Sequence, residues 1–268
     1  MRSYHRLRLI CLKVSLAHVC AAAEGEDPYA LLAREGREAI VRGDDGAAIQ
    51  ILETAFALEP TRVEVALYLI QLYRKVGRNT DAVDLSRQVL EYHPENVATL
   101  YLLGATYARL HDAPAAVAAL EEACRVDTNH ADAHLLLGQE CVTLGEFDKA
   151  ITVLTRAKEW WADSDLLHLY LGQAYLGTQR LLEAERSLRA ATRLAPFEPR
   201  GYFHMGRLYR ALGDGEQSRA MMVRFQALQI QAQEAERLSR VAQRTPDDPN
   251  GWFLLADHYM RAGRLPEA

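Results

Sequence analysis

The sequence predicts an all-α solenoid of antiparallel helix pairs, and three observations predict it. A block of about 34 residues recurs: "HLLLGQEC" at 134–141 returns as "HLYLGQAY" at 168–175, with "LYLLGATY" at 100–107 and "ALYLIQLY" at 66–73 at the preceding places. Small residues recur in register, with Gly36, Gly104, Gly138, Gly172 and Gly206 at place 8 of the block and Ala48, Ala82, Ala116, Ala150, Ala184 and Ala268 at place 20. At both places a small side chain lets two helices approach closely. Turn signals part the two halves of each block: "RGDD", "VGRN", "LGEF", "LGDG" and "AGRL" set Gly43, Gly77, Gly145, Gly213 and Gly263 in one register.

Composition bounds the rest. With 49% apolar and 25% charged residues the chain is a folded, soluble type, and nine prolines among 268 residues leave no proline-rich linker to divide it. A net charge of −5, with no basic run after the N-terminus, removes nucleic acid as the main partner. The first 23 residues differ from the remainder of the chain: Arg2, Arg6, Arg8 and Lys13 without an acid, then "LICLKVSLAHVC" and "AAA". Segment 1–23 reads as a secretory signal peptide interrupted by Lys13 and His18, or else as an N-terminal helix. Its apolar stretch is too short for a transmembrane helix, which needs roughly 20 residues. Export is the expected localisation, periplasmic or secreted, with the cytoplasm as the alternative.

The helix pairs occupy 27–268, as blocks at 29–62, 63–96, 97–130, 131–164, 165–198 and 199 onward. Pro60, Pro94 and Pro196 close three of them, where a residue that cannot continue a helix belongs. Glu35, Ile70, Ser86 and Ser218 depart from the residue types repeated at their places. In the sixth block the pattern predicts one extended helix over about 217–244, because no Gly or Pro interrupts Met222, Phe225, Leu228, Ala232, Ala235, Leu238 and Val241. "TPDDPNGW" then opens an incomplete block, 249–268, whose helix is left without a partner for Trp252, Leu255 and Tyr259. Stacked repeats need a polar cap. The absence of one suggests a fragment of a longer protein, or self-association through the uncapped C-terminal end.

The period, the Gly, Ala and Pro places and the Tyr at place 11 resemble the tetratricopeptide repeat family over nearly the whole chain: about six full repeats and a partial seventh. The resemblance implies a right-handed superhelix whose concave groove, lined by the first helix of each pair, binds a peptide or partner segment. It also implies groove residues at places 2, 5, 6, 9, 12 and 13. Places 5 and 6 hold Tyr68, Tyr101, Tyr170, Phe203 and Phe253, while Gln71, Gln139, Gln173 and Arg207 stand at place 9. Rings beside amides suit an extended backbone, since Gln can both donate and accept. Arg200, His204, Arg207 and Arg210 follow helical spacing and could receive a carboxylate. The Lys/Asn clamp of chaperone-binding family members is not present in consecutive repeats.

The octet "HLLLGQEC" is therefore read structurally. Tyr73, Tyr107, Tyr175, Tyr209 and Tyr259 occupy the place of Cys141, so that place asks for bulk and not for a nucleophile. Cys141 and His134 are expected in the inter-helix core, Glu140 at the periphery and Gln139 in the groove. Cys124 and Cys141 could form a disulfide only if their geometry permits. Trp160 and Trp161 are expected at the end of a helix, one of them at least in packing. No phosphate loop, nucleophile elbow or HExxH occurs. His130 and His134 lack a third ligand, so neither cofactor, metal nor catalytic residue is assigned. The expected function is a non-catalytic adaptor for a protein or peptide segment. The alternatives are the targeting arm of a larger enzyme and an envelope or secretion assembly factor.

Overall fold

The computed structural model describes residues 27–246 and 248–261; segment 1–23, Gly263 and Ala268 lie outside the described residues. Among the described residues the chain forms thirteen α-helices and no strand. They are α1 (Pro28–Val41), α2 (Asp45–Leu58), α3 (Val63–Lys75), α4 (Asn79–Tyr92), α5 (Val97–Arg109), α6 (Ala113–Val126) and α7 (Ala131–Leu144). The rest are α8 (Phe147–Ala157), α9 (Asp165–Gly177), α10 (Leu181–Leu194), α11 (Pro199–Ala211), α12 (Gly215–Arg244) and α13 (Pro249–Arg261).

The fold is an all-α solenoid of antiparallel helix pairs, and the chain divides into two compact units, 1–140 and 141–268. In the N-terminal unit α1 pairs with α2, α3 with α4 and α5 with α6, each pair stacks on the next, and the first helices α3 and α5 touch. In the C-terminal unit α9 pairs with α10 and α11 with α12, α10 lies on α11, and the first helices α9 and α11 touch. First helices are thus neighbours along one face of each unit, and the most extensive packing joins a first helix to a second.

Local chemistry starts and stops these helices. Asn96 and Ser164 cap α5 and α9 by accepting from the Thr99 and Leu167 N–H groups, at 2.9 and 3.2 Å. Asp44, Asp112 and Asp214 do the same for α2, α6 and α12, which satisfies backbone donors that the first helical turn leaves unpaired. Each pair then turns through one left-handed residue: Gly43, Gly77, Gly145 and Gly213 at φ 78 to 82°, with His111 at 59° and Gln179 at 61° in the same register. The spacing is one repeat throughout.

Packing explains both the recurrent small residues and the departures from them. A Cβ added at Gly104 would lie 2.6 Å from Leu120 Cγ, and one at Gly172 equally close to Leu188, so each glycine makes room for a leucine 16 residues later. In α3 and α4 the volumes are exchanged: Ile70 takes the glycine place and Ser86 the leucine place, and both are fully buried. Ala48, Ala82, Ala116, Ala150 and Ala184 have no exposed surface. Ser218, at the same place in α12, remains buried by donating to the Gly206 carbonyl of α11 at 2.8 Å.

The octet "HLLLGQEC" also finds its role. His134 Nε2 meets the Thr128 carbonyl at 3.0 Å and His168 Nε2 the Ala162 carbonyl at 2.8 Å. Tyr202 and Trp252, at the same place, donate to Pro196 and Pro246. Place 4 thus clasps the turn before α7, α9, α11 and α13, because a carbonyl six residues back can only accept, whereas Leu32, Ala66 and Leu100 at this place carry no donor. Cys141 is completely buried and Cys124 nearly so, both as thiols and not as a disulfide. The place-11 tyrosines are less uniformly buried than expected: Tyr73 is in the core, whereas Tyr107 and Tyr209 are half-exposed and their hydroxyls accept from Arg87 and Arg189.

The extended helix expected over about 217–244 spans Gly215–Arg244, with Asp214 as its cap, and one expectation for the C-terminal blocks is corrected. The helix after it is not without a partner: α12 packs on α11 with one part of its length and on α13 with another. Leu255 and Tyr259 are half-buried, and His258 Nε2 reaches the Gln231 carbonyl at 3.0 Å. Thirty residues make a rod of about 45 Å, long enough to serve both neighbours. Trp252 itself stays 45% exposed, with Phe253, Leu254 and Met260 also exposed on α13. Trp160 and Trp161 follow α8 rather than end it, and both are partly exposed.

Candidate functional site

In the N-terminal unit the expected groove residues divide by burial. Tyr68 and Tyr101 are half-buried against the apolar core, so part of each ring packs within the unit, while Gln71 is exposed. The Tyr101 ring lies 5.1 Å from that of His130. Its hydroxyl is pushed above the usual tyrosine value by burial and then by the Asp132 carboxylate, and pulled back by Arg74. Arg74, in the last turn of α3, was not singled out by its sequence. Its Nε is buried with no hydrogen-bond partner. Burial, then the Arg109 charge, holds its guanidinium below the ordinary arginine value. Arg74 and Arg109 stand at places 12 and 13, which the family resemblance marks as groove places, and that was the signal available.

Gln139 is half-buried on α7 and donates through Nε2 to Glu140 Oε1 at 3.3 Å. The expectation for Glu140 is corrected: it is not peripheral but buried, at 5% exposure. Place 10 is a core place in four other repeats, where Leu72, Thr106, Ala174 and Leu208 are buried, although Glu38 holds it exposed in α1. Burial raises the Glu140 carboxyl above its usual value, and the Gln139 amide and the His111 charge oppose this. The amide of Gln139 therefore serves a buried acid.

In the C-terminal unit α9 and α11 touch, which brings Tyr170 and Gln173 beside the α11 side chains. Tyr170 and Gln173 are half-buried. Arg200 is held by Glu198 at 2.7 Å. That carboxylate, and to a lesser degree the Tyr170 hydroxyl, keeps its guanidinium above the usual value. Phe203 is shared between the groove face and packing: its ring is 5.1 Å from His204 and 5.3 Å from Phe225 of α12. His204 Nδ1 is buried without a hydrogen-bond partner. Burial, then Arg207 and Arg200, pushes the imidazole down to about 4, so it is neutral at pH 7. Arg207 and Arg210 are exposed, with no ion-pair partner among the described residues. Phe253 lies apart from this cluster on α13, 67% exposed.

Each unit thus presents a half-buried tyrosine beside arginine, with an unmet buried nitrogen close by. Such a face can receive a carbonyl or carboxylate oxygen and pack a flat or aliphatic side chain. No helix of the described residues is long and apolar enough to cross a membrane.

Comparison with known proteins agrees with this architecture. Models of the tetratricopeptide repeat match residues 74–140, 131–160, 168–224 and 232–268. Anaphase-promoting complex subunit 3 of Schizosaccharomyces pombe is 27% identical over 104 residues, a stretch covering 39% of this chain and 16% of that protein. Among solved structures, a MamA protein is 25% identical with a TM-score of 0.58, covering 62% of this chain and 91% of its own. PilW, a type IV pilus biogenesis factor, shares the fold at 17% identity and a TM-score of 0.61, over 75% of this chain and 94% of its own. YrrB, described as having an unusual peptide-binding site, is 20% identical with a TM-score of 0.59, over 66% and 92% of the two chains. The chain belongs to the tetratricopeptide repeat family and is a protein-interaction scaffold of stacked helix pairs.

Proposed function

We propose that the protein is a non-catalytic adaptor that binds an extended segment of a partner protein on the faces made by its first helices. The observation that carries this reading is the α9–α11 face. There Tyr170, Gln173 and Phe203 offer ring and amide contacts, and His204 Nδ1 is buried but unsatisfied. A buried polar atom without a partner is unfavourable, and a ligand N–H donated to this neutral imidazole nitrogen would remove that cost. Arg207 and Arg210, exposed and unpaired among the described residues, add attraction for an acidic segment. Gln71 on α3 and Gln139 on α7 extend the same amide chemistry to the N-terminal unit.

The test is the combined variant Gln139→Ala, Gln173→Ala and Arg207→Ala, with helicity checked by circular dichroism. Peptides selected from a displayed random library against the wild-type protein are measured by fluorescence anisotropy. A loss of at least about tenfold in affinity is expected, the equivalent of one or two hydrogen bonds. Unchanged affinity in a folded variant would remove the groove assignment. Export of the adaptor rests on the composition of residues 1–23. N-terminal sequencing of the mature protein checks it, with cleavage after Ala23 expected.

A further inference from the structure

We propose that Arg74, with Arg109 and Tyr101 beside it, forms a carboxylate-binding site on the α3–α5 face of the N-terminal unit. It would take an acidic group of the bound partner segment. The inference rests on the groove reading and adds the chemistry of the ligand.

Three observations carry it. First, α3 and α5 are in contact, and Arg109 and Tyr101 of α5 are near enough to Arg74 of α3 to act on its charge. Second, Arg74 is half-buried and its Nε is a buried donor with no acceptor. Third, its charge is not balanced. Among the described residues no carboxylate pairs with Arg74 or Arg109, whereas Arg37, Arg62, Arg78 and Arg125 of the same unit are ion-paired. The acid that acts on Tyr101 is Asp132, and it does not figure among the groups that act on Arg74.

An arginine normally settles against an acid or turns into water. Here burial disfavours the guanidinium, and the neighbouring charge, another arginine, disfavours it further. A carboxylate seated between the two would neutralise the mutual repulsion and, with the guanidinium turned toward it, accept from the Arg74 N–H groups. Charge-assisted bonds of this kind are the strong ones, and the planar fork of arginine suits a carboxylate in a way that an ammonium does not.

Nuclear magnetic resonance of the full chain, following the Arg74 Nε–Hε signal, tests this directly. Four probes are titrated: acetyl-tetraglutamate amide, acetyl-tetraglutamine with a free C-terminus, acetyl-tetraglutamine amide, and inorganic phosphate. The Arg74 signal is expected to move with one or both carboxylate-bearing peptides and to stay still with the neutral one. Movement with the first identifies side-chain acids as the source, and with the second a chain terminus. Affinity for the responding probe is expected to fall about 10- to 100-fold in Arg74→Met, which keeps the aliphatic stem, and to fall also in Arg74→Lys. A silent signal with both acidic probes overturns the proposal. So does an equal response to phosphate or to the neutral peptide. Library peptides that still lose affinity in the Gln139, Gln173 and Arg207 variant while Arg74 stays silent would leave the groove reading standing and remove only this site.

Discussion

The helix pair α3–α4 of the N-terminal unit and the pair α9–α10 of the C-terminal unit fill the same repeat in different ways. In α9–α10, Gly172 makes room for Leu188. In α3–α4 the large side chain, Ile70, sits on the first helix and the small one, Ser86, on the second. The turns differ too: Gly77 at φ 82° in the first pair, Gln179 at 61° in the second. What the repeat holds constant is the summed volume across two facing places and the left-handed turn, not the residue that supplies either. Both pairs nevertheless keep a tyrosine at place 6, Tyr68 and Tyr170, although their cores are built oppositely.

The sharpest test is Leu188→Ala. The cavity opposite Gly172 cannot collapse onto a side chain, so a cost of about 2–5 kcal/mol is expected in urea unfolding. Ser86→Ala, at the equivalent place, should cost far less, since it removes only a hydroxyl that donates to the Ala82 carbonyl within its own helix. Equal effects would mean that place 24 does not carry the packing difference.

Next comes pH. Place 6 holds Tyr68 and Tyr170 in α3 and α9 but His204 in α11, where burial and two arginines bring the imidazole down to about 4. The unfolded chain takes up that proton near pH 6.5 and the folded chain does not, so stability is lost as pH falls from about 6.5 to about 4. The maximum loss is about 3 kcal/mol. His204→Phe should flatten this part of the profile, measured as the difference from wild type so that carboxylate titrations cancel. Identical slopes for the two proteins would contradict the role given to burial.

Smaller effects probe the exchange itself. Ser86→Leu overfills the space beside Ile70 and should cost about 1–3 kcal/mol. Adding Ile70→Gly converts α3–α4 to the arrangement of α9–α10 and should recover part of that loss, less about 1 kcal/mol for glycine inside a helix. Simple additivity of the two substitutions would show that the places are not coupled. Last, Gln179→Gly should stabilise by up to about 1 kcal/mol, because a left-handed conformation is unfavourable for glutamine. Gly77→Gln should destabilise by a similar amount, with no steric contribution, since open space surrounds Gly77.

Most of the fold was legible in the sequence because a repeat states each rule several times. Gly104 and Gly172 mark the close approach, Ala116 and Ala184 the second helix, and Gly77 and Gly213 the turn. The candidate site was less legible. Tyr170, Gln173 and Arg207 could be placed on a face by counting along the helix. Nothing in that count showed that Glu198 already holds Arg200, or that Phe203 leans on Phe225. Glu140 was misread because its type outweighed its place. Four of its counterparts, Leu72, Thr106, Ala174 and Leu208, point to the core, whereas Glu38 of α1, which shares its type, is exposed.

The sequence by itself determined the helical class, the period, the register of turns and the places where helices meet, since these follow from short-range spacing and side-chain size. Only the tertiary structure decided which polar groups remain unmet. It showed that Ile70 and Ser86 exchange volumes, that one long helix serves both α11 and α13, and that Arg74 and His204 each bury a nitrogen without a partner. The reason is that periodicity reports which face a residue is on, whereas the balance of charge and hydrogen bonds depends on neighbours contributed by other helices.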